Sequence, residues 1–145
     1  MIITGLLIML LSCSLPFTTV APDGFATYRN RGRVFRSVSH DRVVYRVRRI
    51  KNRPYAGFDF WREALPKQMG DAGYRIISDT VVTVGNRSAL VLEMATPVGA
   101  YDYSYMVMMQ VKGKKILIAE AAGVVDEFQK HKKNILAALE KTVIK

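Results

Sequence analysis

The stretch Tyr101-Asp102-Tyr103-Ser104-Tyr105-Met106-Val107-Met108-Met109-Gln110-Val111, followed by Lys112-Gly113-Lys114 and the apolar run Ile116 to Ala122, decides how this chain folds. Tyr101, Tyr103, Tyr105, Val107, Met109 and Val111 fall on one face. Asp102, Ser104, Met106, Met108 and Gln110 fall on the other. A period of two over so many residues is the pattern of a strand. Lys112-Gly113-Lys114 suits a hairpin turn, so Ile116 to Ala122 is expected to pair back.

The same reading extends upstream. Tyr74 to Val84 is strand-like, and Gly85-Asn86-Arg87 turns the chain. Ser88 to Ala95 is apolar on both faces, as in a strand covered on both sides. Thr96 to Ala100, with Pro97 and Gly99, is a connecting loop. Four consecutive strands with short connections predict an antiparallel meander.

Three further strands are expected before it: Phe25 to Arg29, Arg33 to Ser39 and Arg42 to Ile50, with a turn at His40-Asp41. In the third, Val43, Tyr45 and Val47 share one face. Arg42, Arg46 and Arg48 share the other with Val44. A helix fits Asp59 to Ala72, with Asp59 as N-cap, Gly73 at C′ and an apolar stripe of Trp61, Ala64, Leu65, Met69 and Ala72. Pro66 is expected to kink or split it. A last helix follows Asp126 as N-cap, with Phe128, Ile135, Leu136, Leu139 and Val143 as its stripe. Three strands, a helix, four strands and a helix define class α+β: an antiparallel sheet flanked by two helices.

The N-terminus addresses location. Met1 to Ser12 holds no charged side chain, and its apolar core is shorter than the roughly 20 residues of a spanning helix. It has the shape of a signal peptide. Leu10-Leu11-Ser12-Cys13 resembles the lipobox of bacterial lipoproteins: an aliphatic residue, a small residue, then the only Cys of the chain. The resemblance implies removal of residues 1–12 and diacylation of the Cys13 thiol. The missing basic residue at the start departs from the pattern. The alternative is a plain secretory signal cut near Val20-Ala21. The expected organisation is a signal peptide at 1–12, a lipidated tether at 13–23 with two prolines, and one α+β domain at 24–145. With a single Cys, no internal disulfide can form. Ser14 after the cysteine is, by the same resemblance, permissive for the outer membrane facing the periplasm. The inner membrane is the alternative.

The formal net charge is +10, and nearly all of it falls between Arg29 and Arg53, where ten basic residues face Asp41 alone. In a cytosolic chain this would suggest nucleic acid. An exported chain meets lipid headgroups, other anionic envelope components or an acidic protein instead, so no nucleic acid is expected. Arg42, Arg46 and Arg48 are the expected anionic-partner residues. The alternative is a solvated basic face.

The order of elements resembles the PsbP-like fold, which includes DcrB-type bacterial lipoproteins. The local cues are Pro22-Asp23-Gly24-Phe25, Gly85-Asn86-Arg87-Ser88-Ala89 before a buried strand, and Gly113-Lys114-Lys115-Ile116 before the last. The resemblance implies an α/β/α sandwich and mostly accessory, non-enzymatic roles at membranes. It carries no site residue.

Little in the chain points to catalysis. His40 and His131 are the only histidines, and with Cys13 lipidated no metal-ligand spacing remains. No metal or cofactor is expected. Ser39-His40-Asp41 has the residue types of a hydrolytic triad, but neighbours in a turn point apart. Glu93 and Glu120 each interrupt an apolar strand, where an acid must be paired or solvated. An arginine partner in the sheet is the structural reading. A pocket acid in a cleft beside Tyr101, Tyr103 and Tyr105 is the enzymatic one. Those tyrosines are either core under a helix or the lining of a groove. The expectation is a non-catalytic binding or assembly accessory of the bacterial envelope. An envelope enzyme and a purely structural lipoprotein are the alternatives.

Overall fold

The computed structural model describes residues 14–29 and 32–145. Cys13 and the signal segment lie outside the described residues. Seven strands form one antiparallel sheet: β2 (Ala26–Thr27), β3 (Phe35–Val38), β4 (Val44–Lys51), β5 (Arg75–Val84), β6 (Arg87–Val98), β7 (Tyr101–Lys112) and β8 (Lys115–Val124). Their spatial order is β2-β3-β4-β8-β7-β6-β5. Two meanders, one of three strands and one of four, therefore join where β4 pairs with β8. Two short strands, β1 (Phe17–Thr18) and β9 (Val143–Ile144), form a separate ribbon.

Helices α1 (Phe58–Asp71) and α2 (Val125–Glu140) cover opposite faces of the sheet. Alternation along the strands sorts the core accordingly. Met106, Met108, Leu117, Ala119, Ala121, Tyr45 and Val47 pack with Phe128, Ile135 and Leu139 of α2. Leu90, Leu92, Met94, Val107, Met109 and Ile118 pack with Trp61, Leu65 and Met69 of α1. This is the expected α/β/α sandwich of class α+β.

The helix ends differ from expectation in one way. Gly57 and Val124 occupy the N-cap positions, with no side-chain cap bond. Asp59 and Asp126 sit inside the first turn, where a carboxylate meets the helix dipole rather than capping the orphan N–H groups. The α1 C-terminus follows expectation. Gly73 has φ +97°, its N–H donates to the Gly70 carbonyl (3.0 Å), and the Tyr74 N–H donates to the Met69 carbonyl (3.0 Å). These are the two bonds of a Schellman motif. Pro66 does not split α1, which runs unbroken from Phe58 to Asp71.

The segment read as a tether contributes to the packed structure. Phe17 is buried in the α2-side core, and β1 pairs with β9. A buried polar network holds this ribbon. Gln110 Nε2 donates to the Thr142 carbonyl (2.8 Å), and its Oε1 accepts from the Ile144 N–H (3.1 Å). The Tyr45 hydroxyl bonds Thr142 Oγ1 (2.9 Å) and Thr19 Oγ1 (3.2 Å). Val143, expected on the last helix stripe, belongs to β9 because α2 ends at Glu140.

Asn52 seats α1. Its Nδ2 donates to the carbonyls of Ala56 (2.7 Å) and Gly113 (2.8 Å), and its Oδ1 accepts from Trp61 Nε1 (2.7 Å). One buried amide thus ties the start of the helix to the β7–β8 hairpin.

Candidate functional site

On the α1 side, the sheet beyond the end of α1 is left open. The result is a cavity of about 920 Å³ whose lining includes Tyr28, Arg29, Val34, Arg36, Val44, Arg46, Tyr74, Val98, Tyr103, Tyr105, Glu120 and Ala122. Residues of even number on β3, β4 and β8 and of odd number on β7 share this face, which is why the arginines and the tyrosines meet here.

Glu120 forms the floor. It stands directly across from Arg46 in the β4–β8 register and is only 7% exposed. Oppositely charged residues in register stabilise a sheet. Arg46 ion-pairs with Glu120 Oε1, Arg48 Nε reaches the same oxygen at 3.5 Å, and the Tyr105 hydroxyl donates to Oε2. Tyr105 leans on Tyr74 with ring centroids 5.4 Å apart. Burial, then the hydrogen bond and charge of Glu120, raise the Tyr105 phenol well above its ordinary value, so it stays protonated.

The expected residues divide. Arg46 lines the cavity, and Arg48 stands beside its floor pair. Arg42 does not join their row, because β4 begins at Val44. It occupies the β3–β4 turn at φ +70°, with its N–H donating to the Ser39 carbonyl (3.1 Å). That is the left-handed residue of a three-residue hairpin loop with a bulge. Tyr103 and Tyr105 line the cavity as a groove would. Tyr101 is not among the lining residues and is 63% exposed. Arg29 and Arg36 are the cavity arginines that sequence reasoning missed as site residues. The signal was present, since Arg36 alternates onto the face of Val34 and Val38, but the matching face of the sheet was not known.

Glu93 and Glu120 lie on opposite faces and share no cleft. Glu93 packs on the α2 side, where Lys132 Nζ holds its Oε2 at 2.7 Å. Its partner is a helix lysine and not a sheet arginine, because α2 covers this face and Lys132 reaches across to β6. A second, smaller cavity of about 490 Å³ adjoins this pair.

Ser39, Asp41 and His131 come together, but in the wrong order for a nucleophile. Asp41 sits in the middle. It accepts from the Ser39 hydroxyl and meets His131 Nε2 at 2.8 and 2.9 Å. A serine nucleophile needs the imidazole as its neighbour. Here the Ser39 Oγ also accepts the Val43 N–H (2.9 Å), a turn-fixing bond. The Ser39 bond, and then His131, hold the Asp41 carboxyl well below the usual carboxylate range. The His40 ring stands 6.2 Å from that of His131. Among the described residues, no three His, Cys, Asp or Glu side chains converge as a metal site would require.

No protein-family model matches the chain, and no curated protein sequence matches it. Solved structures do. LpqN, involved in cell envelope biogenesis of Mycobacterium tuberculosis, superposes with a TM-score of 0.70 at 14% identity, covering 88% of this chain and 82% of that one. A Pseudomonas aeruginosa protein of unknown function gives 0.63 at 12% identity, covering 83% and 97%. Cyanobacterial PsbP from Synechocystis gives 0.62 at 11% identity, covering 90% and 87%. At these identities the likeness concerns the fold alone: this chain has an α+β fold similar to that of cyanobacterial PsbP.

Proposed function

We propose that this protein is exported, anchored in a bacterial envelope by a lipid on Cys13, and acts there by binding an anionic envelope component in its cavity without catalysis. The observation that carries the reading is the lining itself. Arg29, Arg36 and Arg46 share the cavity with Glu120, the only acid among its described lining residues. Once Glu120 has neutralised one guanidinium, the cavity keeps a net positive charge beside tyrosine faces. Such a site suits an anion with an aromatic, sugar or apolar body. The fold likeness to an envelope-biogenesis protein supports the setting. With two or three acyl chains, each buried CH₂ contributing about 0.8 kcal/mol, dissociation from the membrane would be negligible. The outer membrane, facing the periplasm, is the favoured location, as Ser14 implies. Catalysis is disfavoured because Glu120 is already engaged by two guanidinium groups and a phenol, while Glu93 lies across the sheet.

Two measurements test this. The intact mass of membrane-extracted protein, made with and without a lipoprotein signal peptidase inhibitor, should show a chain starting at acylated Cys13, and a precursor under inhibition. An unacylated soluble chain would refute the anchor. For the cavity, anilinonaphthalene sulfonate, an aromatic anion, should bind with fluorescence enhancement and release at high salt. Arg36→Glu should weaken binding about tenfold or more, as two cavity charges are removed or compensated. Binding indifferent to salt and to this substitution would refute the site.

A further inference from the structure

A second basic surface lies at the other end of the sheet, and the fold assembles it from distant parts of the chain. In register, Lys51 stands opposite Lys115, and Lys115 opposite Lys112. Lys114 lies in the hairpin between β7 and β8, and its carbonyl accepts the Asn52 N–H (2.9 Å), which brings Arg53 alongside. Lys145 joins them through the terminal ribbon, since Gln110, two residues before Lys112, holds Thr142 and Ile144. Lys115 is half-buried and the other five side chains are exposed. Among the described residues, none of the six is in an ion pair. The acids nearest in the chain are Glu120, already engaged by Arg46 and Tyr105, Glu140 in the last turn of α2 and Asp59 in the first turn of α1. The end therefore keeps a clear positive excess.

This end is also where the N-terminal segment attaches. The Lys145 N–H donates to the Pro16 carbonyl (3.2 Å), and its Nζ to the Leu15 carbonyl (3.1 Å). Cys13 is two residues before Leu15, about 7 Å of extended chain.

We propose that the β7–β8 hairpin end is a contact surface for the headgroups of an anionic phospholipid membrane. Its chemistry differs from that of the cavity. Five of the six cations are lysines, mobile point charges suited to a fluid array of phosphates, whereas the cavity uses arginines, two of which, Arg36 and Arg46, face each other in sheet register. Attraction to anionic lipid acts within a Debye length of about 8 Å at physiological salt, so the lysines must be held near the surface to feel it. A short link to an acylated Cys13 would hold them there. In that respect the surface rests on the anchored reading above. Its consequence is orientation. The strand β7 runs about 40 Å from Tyr101, close in the chain to the lining residue Tyr103, to Lys112, so hairpin-down docking turns the cavity away from the bilayer.

The test is amine acetylation of the full-length, membrane-purified protein in vesicles of phosphatidylcholine, with or without phosphatidylglycerol, read lysine by lysine by mass spectrometry. Modification of Lys112, Lys114 and Lys115 should slow by about threefold or more in the anionic vesicles and recover at high salt. Exposed Lys67 and Lys133, away from this end, should not change. Lys112→Glu with Lys114→Glu, both at an exposed turn, should abolish the protection at Lys115 and Lys51. Equal modification in both lipids, or protection at Lys67 and Lys133 instead, would overturn the proposal. The intact mass of the same sample reports on the anchor separately. If Cys13 is unacylated, the anchored reading fails, while vesicles added to that chain still decide the surface by the same lysine pattern.

Discussion

The face of the sheet that carries α1 has two halves of opposite character. Under α1, Leu92, Met94, Val107 and Met109 are sealed by Trp61, Leu65 and Met69. Beyond α1, β7 carries Tyr103 and Tyr105, β8 carries Glu120 and β4 carries Arg46 around an open cavity. The difference is one of length. Fourteen helical residues span about 21 Å, whereas the twelve residues of β7 span about 40 Å. The Schellman stop at Gly73 ends the cover while the strands run on. Polar residues occupy the floor where the helix does not reach, and the site exists because the helix is short.

If this division is correct, the largest effects belong to the covered half. Leu92→Ala should cost about 2–5 kcal/mol in denaturant unfolding. Val44→Ala on the open half, at 43% exposure, should stay within about 0.5 kcal/mol. Similar losses would mean that the open half is packed in solution. Asn52→Ala removes the amide that seats α1 and strands several buried polar groups, so we expect a loss of at least about 2 kcal/mol. It should also alter Trp61 fluorescence.

Within the open half, Arg46→Ala should cost about 1–3 kcal/mol, because Glu120 loses its nearest cation. Arg36→Ala should be neutral to stability within about 0.5 kcal/mol. Ultraviolet titration of the tyrosines sharpens the contrast further. The Tyr105 phenol is raised above its ordinary value of 10.0, so its contribution to stability is complete below pH 10 and is lost as pH rises through the folded value. Tyr45, buried at the terminal ribbon, is also raised. Two phenols should therefore ionise late and together with unfolding. Tyr105→Phe should leave one.

A modest gain, not a loss, is expected at Arg42, whose left-handed backbone suits glycine. Arg42→Gly should stabilise the protein by up to about 1 kcal/mol without altering anion binding. A loss of probe binding would return Arg42 to the site.

The sheet was legible because alternation is local. Tyr101 to Val111 shows its two faces without any partner, and Gly73 marks its helix end by φ alone. The N-caps misled because Asp59 and Asp126 are chemically plausible caps two residues too late. The ribbon of Phe17 was hidden in a proline-containing stretch, since its partner Ile144 lies at the other end of the chain. The cavity was partly legible. Tyr103, Tyr105, Arg46 and Glu120 each stood out, but their meeting depends on the β4–β8 register across 74 residues. Arg42 alternates with Arg46 and Arg48 in the sequence, but the left-handed turn before Val44 takes it out of their row. The lysine end was only partly legible from charge runs: Lys51 and Arg53 close the basic run from Arg29, but Lys112, Lys114, Lys115 and Lys145 lie far along the chain.

The proposed function requires the open half of the sheet to engage an anionic envelope component in the cell. Photocrosslinking in intact bacteria, from a photoreactive residue at Tyr103 and, as control, at Val81 on the edge strand β5, tests it most directly. A discrete crosslinked product is expected from position 103, absent from position 81 and lost with Arg36→Glu. Crosslinking equal at the two positions, or unchanged by Arg36→Glu, would contradict it.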